Sequence, residues 1–402
     1  MTWEGPLLRV LQKAALIAIA LSAAFHARAP AAQQQDVAAV AIAFLTQEVE
    51  TPPKLSNLEP PASDDGAYGG QMAIKDNNTT GRFLRQHFEF REVVVPVDGD
   101  IVSSFKDLIN AGYRHIVVRL PADKLVGLAD LPEASDVLLY NAGAANDSLR
   151  NEHCRANVLH TIPSHAMKAD ALAQYLLGKR WRNWFLVVGQ RNGDKLFAAA
   201  IKRAAKRFGG KITAEKAWSF GPDTRRTAQR EVPVFTQDIE YDVLIVADKI
   251  GEFGEYLIYR TWEPKLVAGT QGLVPTSWHR VHEQWGAAQL QSRFLKAFGR
   301  NMTETDYGVW AAIRSIGEAA TRTRSTDFQD MSAYMRSPEF ALAGFKGEKL
   351  TFRDWNGQLR QPILLVAPKA LVSVSPQEGF LHQVTELDTL GYDRPESNCR
   401  LK

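Results

Sequence analysis

Cysteine is nearly absent: the chain of 402 residues contains two, Cys154 in NEHCRANVLHTIPS and Cys399 close to the C-terminus. Short catalytic and cofactor motifs are missing too. No G-x-G-x-x-G follows an apolar strand-like run, so the dinucleotide fingerprint is absent, and so is the G-x-x-x-x-G-K-[ST] P-loop. The G-x-S-x-G esterase elbow does not occur, nor do C-x-x-C or H-E-x-x-H zinc spacings. No cofactor, no resident metal and no enzymatic activity are therefore expected. His279 and His282 in WHRVH read as a surface pair, Asp354-x-Asn356-Gly357 as a hairpin turn, and Asp98-Gly99-Asp100 as a turn. The net charge is only +3 and there is no long basic run, which gives no reason to expect nucleic acid. Beyond the N-terminus no apolar stretch approaches the roughly 20 residues needed to cross a bilayer, so stable membrane insertion is not expected. Internal repeats and extended low-complexity segments are lacking.

What is present begins with MTWEGPLLRVLQKAALIAIALSAAFHARAPAAQQQ. Arg9 and Lys13 precede a small and apolar run from Ala14 to Ala24, and Ala-x-Ala patterns follow at Ala27/Ala29 and Ala29/Ala31. This is the layout of a secretory signal peptide over residues 1–32, cut between Ala27 and Ala32. Export permits a disulfide, and two cysteines allow one intramolecular pairing, Cys154–Cys399. Closing so long a loop stabilises a fold by about 5 kcal/mol in the chain-entropy treatment. The alternative is two separate buried thiols.

Apolar runs then alternate with helical patterns. Strands are expected at Asp36–Leu45 (DVAAVAIAFL), Phe88–Val95, His115–Leu120 and Asp136–Tyr140, with helices at 66–78 and Ile101–Asn110. A second series follows the first cysteine. It has a helix over Met167–Leu177, strands at Trp184–Val188, Lys211–Trp218, Asp242–Ala247 and Lys265–Gly269, and a helix over Glu252–Trp262. In GDKLFAAAIKRAAKRFGGK the apolar residues from Leu196 to Phe208 form one helical stripe. Lys202, Arg203, Lys206 and Arg207 read as its solvated face. Met302–Thr323 is a further long helix, and Leu350–Val366 a hairpin turning at Asn356-Gly357. Glu50–Asp65 is one proline-rich loop. The fold class is therefore α/β: two Rossmann-like lobes with parallel sheets, joined by a hinge. The expected division gives 33–158 plus 271–323 to the first lobe. The second takes 159–270 plus 324–402, with the C-terminal hairpin and tail.

Three segments carry a resemblance: AYGGQMAIKDNNTTGRF (Ala67–Phe83), YNAGAANDSLRNEHCRANVLHTIPS (Tyr140–Ser164) and TDYGVWAAIRSIGEAA (Thr305–Ala320). Their order resembles the type I periplasmic solute-binding proteins of ABC transporters, the branched-chain amino-acid-binding group. CRANVLHTIPS with FKGEKLTFRDWNGQLRQPILLVAP resembles the subgroup encoded with pyrroloquinoline quinone (PQQ)-dependent alcohol dehydrogenases. The resemblance implies a periplasmic protein that closes its lobes on a small-molecule or chelated-metal ligand. Its implied partners are ABC transporter membrane subunits and a PQQ-dependent dehydrogenase, with a connection to lanthanide or cofactor supply in methylotrophs.

Carried over residue by residue, Tyr68 matches the first-helix tyrosine that walls the cleft, and Phe197 the aromatic of the second lobe. Small residues and a hydroxyl normally hold a ligand carboxylate where this chain has Asn141-Ala142-Gly143-Ala144-Ala145, and the hydroxyl is missing. The serine-rich turn is replaced by Arg119-Leu120-Pro121. The acidic partner of a ligand ammonium aligns with Gln271 or falls in a deletion. A buried ammonium without that partner is costly, so a free amino acid is not the expected ligand. Residues at strand ends complete the candidate set: Thr46, Glu48, Arg119, Asn141, Gln190, Arg191 and Asp248. Arg119, a forked cation, suits a carboxylate-rich ligand. Asp248 and Glu48 would favour a bare hard cation, but such an ion needs at least six oxygens. One alternative function is an accessory protein that docks on an exported dehydrogenase through the Glu50–Asp65 loop and the tail after Pro376; another is an exported enzyme using a cleft carboxylate, Asp248.

Overall fold

A computed structural model describes residues 37–50, 65–218 and 224–401 of the chain. The expected signal peptide, and the proline-rich loop apart from its ends, lie outside them.

The first sheet is built by β1 (Ala38–Gln47), β2 (Gln86–Val95), β3 (His115–Arg119), β4 (Leu138–Asn141) and β5 (Val158–His160), in the order β2-β1-β3-β4-β5. β1–β3, β3–β4 and β4–β5 pair in parallel. Helices α1 (Ala67–Leu84), α2 (Ile101–Asn110) and α3 (Ala122–Ala129) connect its strands. Successive strand residues face opposite ways, so a strand covered on both faces must be apolar throughout. β1 shows this. Phe44 joins a core with Phe88, Tyr140, Trp278 and Trp310, while its neighbour Leu45 joins another with Phe105, Val118 and Leu128.

The second sheet consists of β6 (Asn183–Val188), β7 (Lys211–Ala217), β8 (Val243–Ala247) and β9 (Leu266–Gly269), ordered β7-β6-β8-β9 and wholly parallel. It follows α4 (His165–Gly178), and α5 (Asn192–Phe208), α6 (Thr224–Thr236) and the single turn α7 (Gly254–Leu257) lie between its strands. Trp184 and Leu186 face one core and Phe185 and Val187 the other. The fold class is thus as expected, α/β with two parallel sheets.

The remaining elements are β10 (Val274–Thr276), α8 (Ala287–Phe298), α9 (Glu304–Thr323), α10 (Phe328–Arg336), β11 (Leu342–Ala343), β12 (Lys349–Leu350), β13 (Ile363–Ala367) and β14 (Ala370–Ser375). α9 packs along α1 and completes the first core. β10, β13 and β14 form an antiparallel sheet against α4. The chain therefore passes between the two sets of cores three times: after His160, around Ser277, and between Leu359 and Ile363.

Several local expectations are corrected. α1 does not stop at NNTTG but runs on to Leu84. Asn77 is buried and donates to the Ile313 carbonyl of α9, and Asn78 bonds the backbone of Phe88, so neither amide bends its own backbone. The helix expected over Glu252–Trp262 shrinks to α7, because the Asp248 carboxylate gathers the N–H groups of 251–254 into a loop. Asn356-Gly357 does turn the chain, bringing Phe352 opposite Leu359, but β13 pairs with β14 and β10 instead of with β12. His282 is buried, its Nε2–H donating to the Phe345 carbonyl at 2.8 Å, and is no surface residue. Arg203 and Arg207 do not simply face solvent. Both grip the buried carboxylate of Asp170, and both pair with Glu396 in the tail.

The disulfide Cys154–Cys399 is present, with a Cα–Cα distance of 5.7 Å across a sequence separation of 245. Beside it Ser397 donates to the Arg150 carbonyl and Asn398 to Asn151 Oδ1. Tyr392 lies under the Arg203 guanidinium, 4.0 Å from its carbon. The tail is thus fixed to the second lobe by Arg203 and Arg207 and to the first by the disulfide.

Candidate functional site

In each sheet the strand order reverses direction at one point, between β1 and β3 in the first and between β6 and β8 in the second. Open α/β sheets bind ligands outside the C-terminal strand ends at such points. Thr46 and Arg119 are register partners at the end of β1 and β3, and the Thr46 hydroxyl donates to the Arg119 carbonyl at 3.2 Å. In the second sheet the corresponding end of β8 leads into Asp248 and Lys249.

A cavity of about 710 Å³ opens between these ends. Arg119 to Asp123, Gly143, Ala144, Asn146, Val49 and Thr305 line it from the first lobe. His165, Asn192, Gly193, Leu196 and Lys249 line it from the second. The first turns of α3, α4, α5 and α9 all reach this wall, and a helix N-terminus carries partial positive charge. Arg119 Nε lies 3.6 Å from the Asp65 carboxylate. Burial raises the Asp65 pKa, opposed by a hydrogen bond from Thr303 Oγ1 and the charge of Arg119. Lys249 rests against α5, where a Cβ added to Gly193 would stand 3.1 Å from its Cδ. Its side chain reaches into the cavity and makes no ion pair among the described residues. The surrounding protein pulls its pKa down, and the Lys168 ammonium adds to the effect.

His165, the first residue of α4, is buried in the same wall. Its backbone N–H bonds the Ala145 carbonyl and its ring meets Phe197 edge-on at 5.9 Å. Nε2 is buried and has no partner. Burial, reinforced by Lys249, Lys168 and Arg150, pushes the His165 pKa well below its usual value, so the ring is neutral at neutral pH.

The other expected site residues lie elsewhere. Asn141 is fully buried: Oδ1 accepts from the backbone of Gly143 and Ala144, and Nδ2 reaches the Ala144 carbonyl and His160. Ala142 belongs to the first core and Phe197 to the second. Tyr68 stacks on Phe298 at 4.4 Å beside the Arg300 guanidinium, away from the cavity. Glu48 and Gln190 are exposed outside the cavity, and Arg191 pairs with Glu252 at 2.6 Å. The Asp248 carboxylate accepts four backbone N–H bonds, so it has no face left for a hard cation. Gln271 donates to the Asp248 carbonyl and accepts from Thr270. It lines a separate cavity of about 620 Å³ that shares Lys249 with the first. Among the described residues no group of three or more His, Cys, Asp or Glu side chains comes together around a metal position.

Polar bonds tie the three crossings together. Glu304, at the start of α9, accepts from the Ser277 N–H at 2.7 Å and pairs with Lys168 of α4 at 2.5 Å. Burial pushes Glu304 up, but Lys168 and the Ser277 bond outweigh it and hold the carboxyl below its usual range. Gln361 Nε2 donates to the Thr161 carbonyl, and its Oε1 accepts from the buried Lys346 at 2.6 Å. Arg150, buried, donates to the carbonyls of Ala144, Asn146 and Ile162 and to Gln358. Burial lowers its pKa to about 9.

No family model matches the chain, and no curated protein matches it by sequence. Solved structures do. A branched-chain amino-acid ABC transporter periplasmic ligand-binding protein from Burkholderia xenovorans LB400 superposes with a TM-score of 0.69 at 15% identity, over 90% of this chain and 99% of that one. A periplasmic binding protein from Burkholderia mallei gives 0.65 at 17%, with the same coverage of both chains. A solute-binding protein of an ABC transporter from R. palustris, solved with benzoate, gives 0.63 at 11%, over 90% of this chain and 100% of that one. The fold is therefore the two-lobed fold of the type I periplasmic binding proteins.

Proposed function

We propose that this protein is the periplasmic solute-binding component of an ABC-type transport system, closing its two lobes on a small ligand, with residues 1–32 as its export signal. One observation carries the reading. The cavity takes its lining from the C-terminal ends of both sheets, and beside it lie the three main-chain crossings, which together with the disulfide-bonded tail link the lobes and must bend when they rotate. A ligand that touches both walls binds the closed arrangement better than an open one, which is what drives closure. We place the lobes at 39–160 with 277–359, and 161–276 with 360–392. This departs from the division expected from sequence because Met331, Met335, Leu350 and Leu359 pack in the first core. The benzoate bound by the R. palustris relative supports a small-molecule ligand.

The finer proposal, a role beside a PQQ-dependent alcohol dehydrogenase in lanthanide or cofactor supply, rests on the two segments that resemble that subgroup. These segments meet at the hinge, where Gln358 and Gln361 bond the carbonyls of His160, Thr161 and Ile162. They therefore speak for a shared hinge and leave the ligand to the cavity residues.

Native mass spectrometry of the mature protein, taken from the periplasm of its host during growth on an alcohol, tests the proposal. A retained small-molecule mass is expected. A clean apo mass, with a dehydrogenase co-purifying, would replace it with the docking role.

A further inference from the structure

The fold leaves the ligand open, but the charges around the cavity do not. We infer that the ligand is a small organic acid without an ammonium group, held by its carboxylate between Arg119 of the first lobe and Lys249 of the second. This rests on the reading of the cavity as the solute site.

The first argument is the state of the carboxylates. An amino acid needs an acidic partner for its ammonium, and the second-lobe acids near the wall are committed. Asp194 accepts the backbone N–H of Lys249 through Oδ1 and of Arg191 through Oδ2. Asp248 is saturated by four N–H groups, and Glu252 holds Arg191. On the first lobe Asp65 faces Arg119 and accepts from Thr303, which leaves the exposed Asp123 at the cavity edge. Among the lining residues only the exposed Asp123 could face a ligand ammonium, against Arg119, Lys249 and the positive helix ends.

The second argument is what stands unanswered. The exposed Lys249 makes no ion pair among the described residues, and the neutral imidazole of His165 keeps a buried Nε2 without a partner in the same wall. Buried polar atoms in native proteins are nearly always bonded, so an exception in a cavity wall marks a place for a ligand or a water. An acid satisfies both: one carboxylate oxygen takes Lys249, the other takes Arg119, and a hydroxyl or oxo group of the ligand meets His165. Charge-assisted bonds of this kind are about twice as strong as neutral ones. A cavity of about 710 Å³ suits an acid of metabolite size.

The test is thermal shift and calorimetry on the full mature protein with benzoate, 3,4-dihydroxybenzoate and succinate, against benzamide, succinamide and leucine. The carboxylates are expected to bind and the amides and leucine to fail. Lys249→Met and Arg119→Gln should each weaken carboxylate binding by about 10- to 100-fold, the usual cost of losing one charged hydrogen bond. Lys249→Met should keep the melting temperature of the unliganded protein, which separates lost binding from lost folding. Leucine or the amides binding as tightly as the acids would overturn the inference and leave the solute-binding reading intact. Carboxylate binding that both variants preserve would overturn the assigned residues. No binding by any of the acids would overturn the inference as well, and a retained non-acidic mass in the native spectrum would then show that the solute-binding reading survives without it.

Discussion

Arg119 and Lys249 occupy matching places, each at the end of the strand beside its sheet's reversal point, yet the two lobes treat them differently. Arg119 faces Asp65, which Thr303 steadies in turn, so much of its charge is answered before any ligand arrives. Lys249 makes no ion pair among the described residues; burial and the Lys168 ammonium weaken its hold on its proton, opposed by the charges of Glu304 and Asp194. The first lobe presents a balanced wall and the second a charge in waiting. A two-lobed binder gains from this asymmetry: closure brings the unanswered cation onto a ligand already seated, so the ligand's contacts are stronger in the closed state than in the open one.

The largest effect is expected where the lobes are tied. Cys399→Ser frees the tail from the first lobe while Glu396 still holds it to the second, and unfolding by guanidinium should show a loss of about 3–5 kcal/mol. Loss of less than about 1 kcal/mol would mean that the ion pairs alone secure the tail.

Acid should come next and should separate the lobes. Burial depresses the pKa of His115, to about 3, and of His160 in the first lobe, and of His165 at the start of the second. A histidine whose folded pKa is lowered binds fewer protons than in the unfolded chain, so its contribution is complete above about pH 6.5 and is lost as pH falls. Each such group costs about 1.4 kcal/mol per pH unit below that point until its folded pKa is reached. Hydrogen exchange between pH 7 and 5 should therefore show the first lobe weakening more than the second. Equal weakening would break the asymmetry.

The smallest effects sharpen the contrast between the two cations. In the unliganded protein Lys249→Met should change stability by no more than about 0.5 kcal/mol, because the exposed ammonium makes no ion pair among the described residues. Arg119→Gln should destabilise by less than about 1 kcal/mol, since its pair with Asp65 is partly solvent-screened. Glu48→Gln and Gln190→Ala should change stability by no more than about 0.5 kcal/mol and binding not at all. Denaturation curves read all four.

The strands were legible because a strand buried on both faces is apolar throughout, as in AAVAIAFL, WFLVV and VLIVA. The cysteine pairing was legible by count. The site was legible in location but only partly in detail. Strand-end residues do surround the cavity, but position alone does not say whether a polar side chain faces a ligand or caps its own loop. Asn141 and Asp248 do the second. Glycines stand two residues after Asn141 and three after Asp248, at Gly143 and Gly251, and were the available sign, since short Asn and Asp side chains commonly bond the backbone of a turn just ahead of them. Lys249, next to the more conspicuous Asp248, carries no local mark that separates it from a solvated surface lysine. His165 follows the Ser164 cap directly after a crossing, a place that only the topology turns toward the cavity. Tyr68 carried no local mark of its stacking on Phe298, which lies far along the chain.

Small-angle X-ray scattering during titration with a carboxylate that calorimetry shows to bind tests most directly whether the two lobes close on an acid. The radius of gyration should shrink as the wild-type protein saturates and stay unchanged in Lys249→Met at the same concentrations. Saturation of the wild type without any change in scattering would contradict closure across this cavity.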